Sequence, residues 1–291
     1  MKIKDIVSSG KPSVSFEVFP PKRDMPLDPV KDAVRELAAA KPAFRSVTYG
    51  AAGGTSSANT SAIADFVQRD CGVTALAHLT CVMATREGIA AEAAKMKSLG
   101  ITNVLALRGD LPPDADAVPP GYFKHASELV RYLKQYYPDF CLGGACYPEG
   151  HPECAHLKDD IAHLKDKVDA GLDFLMTQMF FDNNILYRYL AKVREHGITV
   201  PVVAGVMPVT NGKQIQRICQ LSGTYLPSRF KMIVDRFGDR PDQMLSAGIA
   251  YASEQIVDLF ANGVNHVHVY TMNKPEVGAE IIRNLGSIVE A

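Results

Sequence analysis

The sequence predicts an α/β fold, a (β/α)8 TIM barrel, on three observations. Eight apolar stretches of strand type recur along the chain, each followed by a helical stretch. Helical segments end repeatedly in a glycine with a strand starting just beyond, as in Leu99-Gly100-Ile101, Ala170-Gly171-Leu172, His196-Gly197-Ile198 and Asn262-Gly263-Val264. Such a cap needs a left-handed backbone, which glycine adopts without strain. Polar residues also gather where the strands end, and parallel α/β proteins place their chemistry there.

Strands are expected over 14–18, 44–49, 74–81, 101–107, 141–147, 174–180, 200–206 and 264–270. The helices between them are amphipathic. Leu157, Ile161, Leu164 and Val168 share one face of a segment ending at Gly171. Leu186, Leu190 and Val193 share a face of the next, with Asn183 or Asn184 as its expected cap. Two excursions break the rhythm. Residues 111–122 are proline-rich and could form a lid, and 221–242 should add a short extra helix before a long helical segment. No composition shift marks a second domain, so residues 1–291 read as one barrel domain.

The 291 residues are 47% hydrophobic and 22% charged, an ordinary globular composition with enough chain for a sizeable core. The formal net charge is -1 without blocks of like charge, which argues against nucleic-acid or membrane-surface partners. No apolar run approaches a bilayer-spanning length, and residues 1–10 lack the apolar core of a secretory signal. The six cysteines, at 71, 81, 141, 146, 154 and 219, form no C-x-x-C pair and read as reduced cytoplasmic thiols.

The most informative stretch is Val104-Leu105-Ala106-Leu107-Arg108-Gly109-Asp110-Leu111-Pro112-Pro113. A buried strand ends in a cation, a glycine and a carboxylate, and the prolines stop any further regular structure. A plain salt bridge at a strand end is the competing account. Glu17, in Ser15-Phe16-Glu17-Val18-Phe19, has apolar neighbours that would raise its pKa and suit it to general-acid work. A solvated, inert glutamate is the competing account. Gln178 carries a donor and an acceptor able to read an amide-like heterocycle edge, or else satisfies buried backbone. Lys167 could meet a phosphate as a point charge, although a helix lysine usually faces solvent.

Two patterns could hold a metal: His266-Val267-His268, and the group His151, Cys154, His156 and His163. Neither supplies a coherent ligand set, so no metal is expected. No cysteine has a local activating base, and neither G-x-G-x-x-G nor a Walker A motif is present.

Taken together, Ser15-Phe16-Glu17-Val18-Phe19-Pro20-Pro21-Lys22, Ser46-Val47-Thr48-Tyr49-Gly50, His78-Leu79-Thr80-Cys81, Ala106-Leu107-Arg108-Gly109-Asp110-Leu111-Pro112, Tyr147-Pro148-Glu149, His151-Pro152-Glu153, Lys167-Val168-Asp169-Ala170-Gly171 and Thr177-Gln178 resemble the methylenetetrahydrofolate reductase family, from about residue 13 to beyond Tyr270. A chain that stops after the barrel resembles the short bacterial type. The resemblance implies a cytoplasmic, homo-oligomeric (dimer or tetramer) flavoprotein oxidoreductase of one-carbon metabolism. It would hold FAD without a Rossmann turn, take hydride from NADH or NADPH, and pass it to methylenetetrahydrofolate for methionine synthesis. By the same resemblance Glu17 is the acid that protonates the folate, and Asp110 bonds the pterin and tunes the flavin. Thr48, Tyr49, Ala51, His78, Arg108, Gly109, Asp110, Ala126, Tyr147, His151, Cys154, Asp160, His163 and Lys167 would line the cofactor. Glu17, Thr48, Asp110, Gln178, Gln214 and Lys274 would contact substrate.

Three positions depart from the family pattern. Lys274 stands where arginine is expected, Ile218 where some members carry an aromatic, and His125 where tyrosine is expected. The first turns a forked contact into a point charge. Two other readings of the chain are a metal-dependent amidohydrolase-type barrel built on His266 and His268, and a non-catalytic barrel that binds or scaffolds.

Overall fold

In the computed structural model, residues 1–21, 25–49, 57–111 and 117–289 are described. Eight parallel strands close into a barrel in chain order: β1 (Ser13–Val18), β2 (Arg45–Val47), β3 (Ala75–Thr80), β4 (Asn103–Leu107), β5 (Cys141–Cys146), β6 (Phe174–Thr177), β7 (Val202–Val206) and β8 (His266–Val269). The ring is sealed where β1 pairs β8, with Ser15 opposite His268. The expected (β/α)8 fold is therefore present, with strand ends within a few residues of expectation.

Strand alternation divides the side chains into two sets. On β1, Val14, Phe16 and Val18 face outward into the helix layer, in one buried cluster with Ile161, Leu164 and Leu186. Ser13, Ser15 and Glu17 alternate with them and therefore face the barrel interior. Burying each of these large apolar side chains contributes about 1.5–3 kcal/mol.

The surrounding helices are α1 (Ile3–Val7), α2 (Asp28–Ala38), α3 (Ser57–Arg69), α4 (Arg86–Ser98), α5 (Ala126–Tyr136), α6 (Leu157–Asp169), α7 (Asn183–Glu195), α8 (Gly212–Ser222), α9 (Ser228–Phe237), α10 (Pro241–Ala261) and α11 (Pro275–Leu285). Gly100, Gly171, Gly197 and Gly263 all take positive φ just past their helices, as the repeat requires. The extra helix expected in 221–242 is α9, and the long segment after it is α10. The proline-rich excursion over 111–122 lies partly outside the described residues.

Three local features differ from expectation. Helix α1 was not anticipated. Its Ile3 and Val7 plug the amino-terminal end of the barrel against Phe44, Leu76, Leu105, Phe174 and Val203, and the Ile3 N–H donates to Asn103 Oδ1 at 2.9 Å. Five residues are too few to show a helical period. The cap of α7 is Asp182 rather than Asn183 or Asn184, and its carboxylate accepts from the Asn184 N–H at 2.9 Å. Finally, β6 ends at Thr177 rather than 180, because its pairing with β7 stops at Met176–Val203. One step on, the Gly205 N–H donates to Thr177 Oγ1 at 2.8 Å, and the Thr177 carbonyl accepts from the Tyr270 hydroxyl at 2.9 Å.

Candidate active site

A cavity of about 600 Å³ opens at the carboxyl ends of β2 to β5, within the size range of small-molecule sites. Its walls gather Tyr49, Arg108, Gly109, Asp110, Ala126 and Tyr147. They also include His151, Cys154, Asp160, His163 and Lys167. Residues separated by more than a hundred positions in sequence thus meet, because neighbouring strands deliver their ends to one mouth.

Gly109 sets the turn after β4. Its φ is +82°, and a Cβ there would lie 3.0 Å from both Thr80 Cβ and Val82 Cγ1. Glycine alone makes this bend beside β3 without strain, and the bend carries Arg108 and Asp110 to the cavity. The Arg108 guanidinium forks onto Glu153 at 2.5 and 2.6 Å. The salt bridge considered at this strand end therefore exists, but its partner comes from the β5–α6 loop. In the sequence Glu153 is only part of the His151-Pro152-Glu153 motif; the fold puts it in the cavity wall.

The far wall comes from α6 and the loop before it. His151 Nδ1 accepts from the Glu153 N–H at 3.1 Å, and its ring meets Tyr147 edge-on at 4.6 Å. Burial raises the Tyr147 phenol to about 12 and lowers the His151 imidazolium. Lys167 is half-buried and its Nζ donates to the Ala145 carbonyl at 2.5 Å. Desolvation lowers its ammonium pKa, while Cys146 and Asp160 oppose that shift. Asp160 is itself raised by burial, with the His151 and Lys167 charges pulling the other way.

The other expected residues that the structure describes stand outside this cavity's walls. Glu17 is buried at the end of β1, and desolvation lifts its carboxyl to about 8. Thr48 pairs through its backbone, donating to Val18 O and accepting from Thr60 Oγ1. His78 is buried on β3 with Nε2 unpartnered among the described residues, and desolvation lowers its pKa to about 3. Gln178 follows β6 directly, its Oε1 accepting from the Met179 N–H at 2.9 Å. Gln214 is exposed on the first turn of α8, and Lys274, at the cap of α11, donates to Thr210 Oγ1 at 2.9 Å. Ala51 lies outside the described residues. The mouth thus has two arcs: the cavity over β2 to β5, and Glu17, Gln178, Gln214 and Lys274 over β1 and β6 to β8.

The histidines of the H-x-H pattern face inward and bond to serines. His266 Nδ1 lies 2.8 Å from Ser13 Oγ, and His268 bridges Ser15 Oγ at 2.7 Å and Ser46 Oγ at 2.9 Å. Both nitrogens of His268 are therefore engaged, which leaves that ring no free lone pair for a metal. Among the described residues no group of three His, Cys, Asp or Glu is arranged to hold a metal ion, and no helix is long and apolar enough to cross a membrane. All six cysteines are free thiols.

A family model described as methylenetetrahydrofolate reductase matches residues 2–286. The chain belongs to the methylenetetrahydrofolate reductase family. It is 35% identical over 277 residues to 5,10-methylenetetrahydrofolate reductase of Escherichia coli, covering 95% of this chain and 92% of that protein. It is 34% identical over 302 residues to the probable methylenetetrahydrofolate reductase (NADH) of Oryza sativa subsp. japonica, covering all of this chain and 51% of the relative. The chain thus spans about half the length of the plant relatives it matches and nearly all of the bacterial ones. Among solved structures, an uncharacterized protein from Clostridium thermocellum that binds two copies of 5-methyl-5,6,7,8-tetrahydrofolic acid aligns over 98% of each chain, with a TM-score of 0.64 at 13% identity. At that identity the likeness speaks for the fold alone.

Against the family pattern, the three departures have defined places. His125 lines the cavity. Ile218 packs into a cluster with Ile215, Phe230 and Met244, and Lys274 engages Thr210. Besides Glu153, sequence reasoning missed Tyr189, which enters the cavity wall from α7. It lies three residues after Leu186, so its spacing marked only a core-facing position.

Proposed function

We propose that this protein reduces 5,10-methylenetetrahydrofolate to 5-methyltetrahydrofolate with NADH or NADPH, using FAD held in the β2–β5 cavity and feeding methionine synthesis. The observation that carries the reading is Glu17, a buried carboxyl on the substrate-side arc. A pKa of about 8 keeps it protonated at neutral pH, so it can act as an acid there.

The cavity suits a dinucleotide flavin. Lys167 is a desolvated cation whose hydrogen-bond partner among the described residues is the Ala145 carbonyl, with Cys146 and Asp160 within electrostatic reach, a setting that favours a phosphate. Arg108 brings a second cation, already fixed by Glu153, and Tyr147 and His151 add two rings to the wall. Tyr49, Gly109, Asp110, Ala126, Cys154, Asp160 and His163 complete the proposed lining. Thr48, His78 and Ala51 remain proposed contacts on the family resemblance. When bound, FAD would supply the two-electron relay between nicotinamide and folate.

The protein's own contribution is geometric and protonic. Glu17 would hold a proton on its carboxyl and deliver it to the folate nitrogen whose loss opens the methylene bridge. Asp110 would accept hydrogen bonds from the pterin, and Gln178 would present its amide to the heterocycle edge. Gln214 and Lys274 would meet the far end of the folate, where an ammonium interacts with a carboxylate as a point charge. We place the whole activity on one barrel domain, working in the cytoplasm as a dimer or tetramer.

The test is direct. Purified protein loaded with FAD should show a flavin visible band that bleaches with NADH or NADPH and returns on adding methylenetetrahydrofolate. A preparation that takes up no FAD, or whose reduced flavin ignores the folate, overturns the reading. Parallel assays with the two nicotinamides establish the donor.

A further inference from the structure

We infer that Tyr270 is a positioning residue for the substrate amide Gln178. This rests on the function proposed above and assigns a role to a residue outside both expected site sets.

The observation is where β6 stops. Tyr270 follows β8, yet its hydroxyl passes over β7 and donates to the Thr177 carbonyl on β6 at 2.9 Å. The crossing is possible because residue 205 is glycine. A Cβ there would lie 2.6 Å from the Tyr270 hydroxyl oxygen and 2.5 Å from the Thr177 carbonyl oxygen. The Gly205 N–H donates instead to the Thr177 side chain at 2.8 Å. The hydroxyl and the carbonyl of Thr177 are thus occupied from β7 and β8, and the regular β6–β7 pairing ends at Met176. Gln178 is the next residue, and its own N–H remains tied to Cys146 O on β5 at 2.8 Å. The Gln178 backbone is therefore held from both sides, with Tyr270 supplying the hold on the β7–β8 side.

The tyrosine is itself fixed. Its ring meets His268 edge-on at 5.5 Å, and His268 is held by Ser15 and Ser46 and stacked on Phe44 at 5.7 Å. Tyr270 also stands within electrostatic reach of Glu17. Its fixed hydroxyl sets the direction in which Gln178 leaves the strand. A side chain that must read a heterocycle edge gains affinity when its backbone is preorganised.

The experiment is a double-mutant cycle on the FAD-loaded protein with Tyr270→Phe and Gln178→Ala, reading folate KM and kcat in the folate half-reaction and thermal unfolding. Tyr270→Phe alone should raise the folate KM about five- to tenfold, the scale of one hydrogen bond lost at a buried carbonyl, with kcat changed by less than about twofold. In the Gln178→Ala background the same change should have no further effect on KM. Additive effects in the cycle overturn the inference, as does an unchanged KM in Tyr270→Phe. A fall in melting temperature with KM unmoved would make Tyr270 purely structural. A wild-type protein inert toward methylenetetrahydrofolate would instead overturn the proposed function, and with it the substrate role assigned here.

Discussion

Replacing Glu17 by glutamine should make the protein more stable at alkaline pH while abolishing its folate chemistry. The carboxyl titrates at about 8 when folded, against 4.5 for an ordinary glutamate. Because the folded pKa is the higher one, the native state holds a proton that the unfolded chain has lost throughout that window. Stability contributed by this group is therefore present at acidic pH and falls as pH rises from about 4.5 to 8. At roughly 1.4 kcal/mol per unit, the gap makes about 5 kcal/mol by pH 9. That is an upper bound, since a buried ion draws in water and local relaxation. Glutamine copies the shape of the neutral acid and does not titrate. The expected result is wild type and Glu17→Gln melting together near pH 4.5 and separating progressively up to pH 9, with the variant the more stable. Thermal or urea unfolding across that range measures it. Parallel curves at every pH would show that Glu17 is not desolvated as described. In stopped flow, the same variant should accept hydride from the nicotinamide normally and fail in the folate half. Equal loss in both halves would make Glu17 structural.

Three further outcomes are expected. Asp110→Asn should weaken folate binding and shift the flavin potential, and an unchanged redox titration together with unchanged folate affinity would refute its assigned role. Lys167→Met should lower FAD affinity about ten- to a hundredfold, the range for losing a charge-assisted hydrogen bond, measured by flavin titration of the apoprotein; undiminished uptake would remove Lys167 from the phosphate site. Gly205→Ala should destabilise the barrel by about 1–3 kcal/mol through overpacking, because its methyl would meet the Thr177 carbonyl and the Tyr270 hydroxyl. Denaturant midpoints would check this, and an unaltered midpoint would contradict the close approach.

The sequence by itself determined the barrel. Strand-length apolar runs alternate with amphipathic helices, and the four glycine caps follow from a backbone conformation only glycine takes freely, so these are local facts that survive in one dimension. It also marked Arg108, Asp110, Tyr147, His151 and Lys167, because each sits at or near a strand end or in a distinctive motif, and the fold brings them to one cavity. The tertiary structure alone decided who partners whom. Arg108 pairs with Glu153 rather than Asp110, Ser15 and Ser46 close on His268, and the Tyr270 hydroxyl ends β6 three residues early. Each of those contacts joins segments distant in sequence, and its energy depends on Å-scale placement that no local pattern encodes. The elevated Glu17 carboxyl belongs to the same class: flanking apolar residues hinted at it, but desolvation is a property of the whole closed barrel.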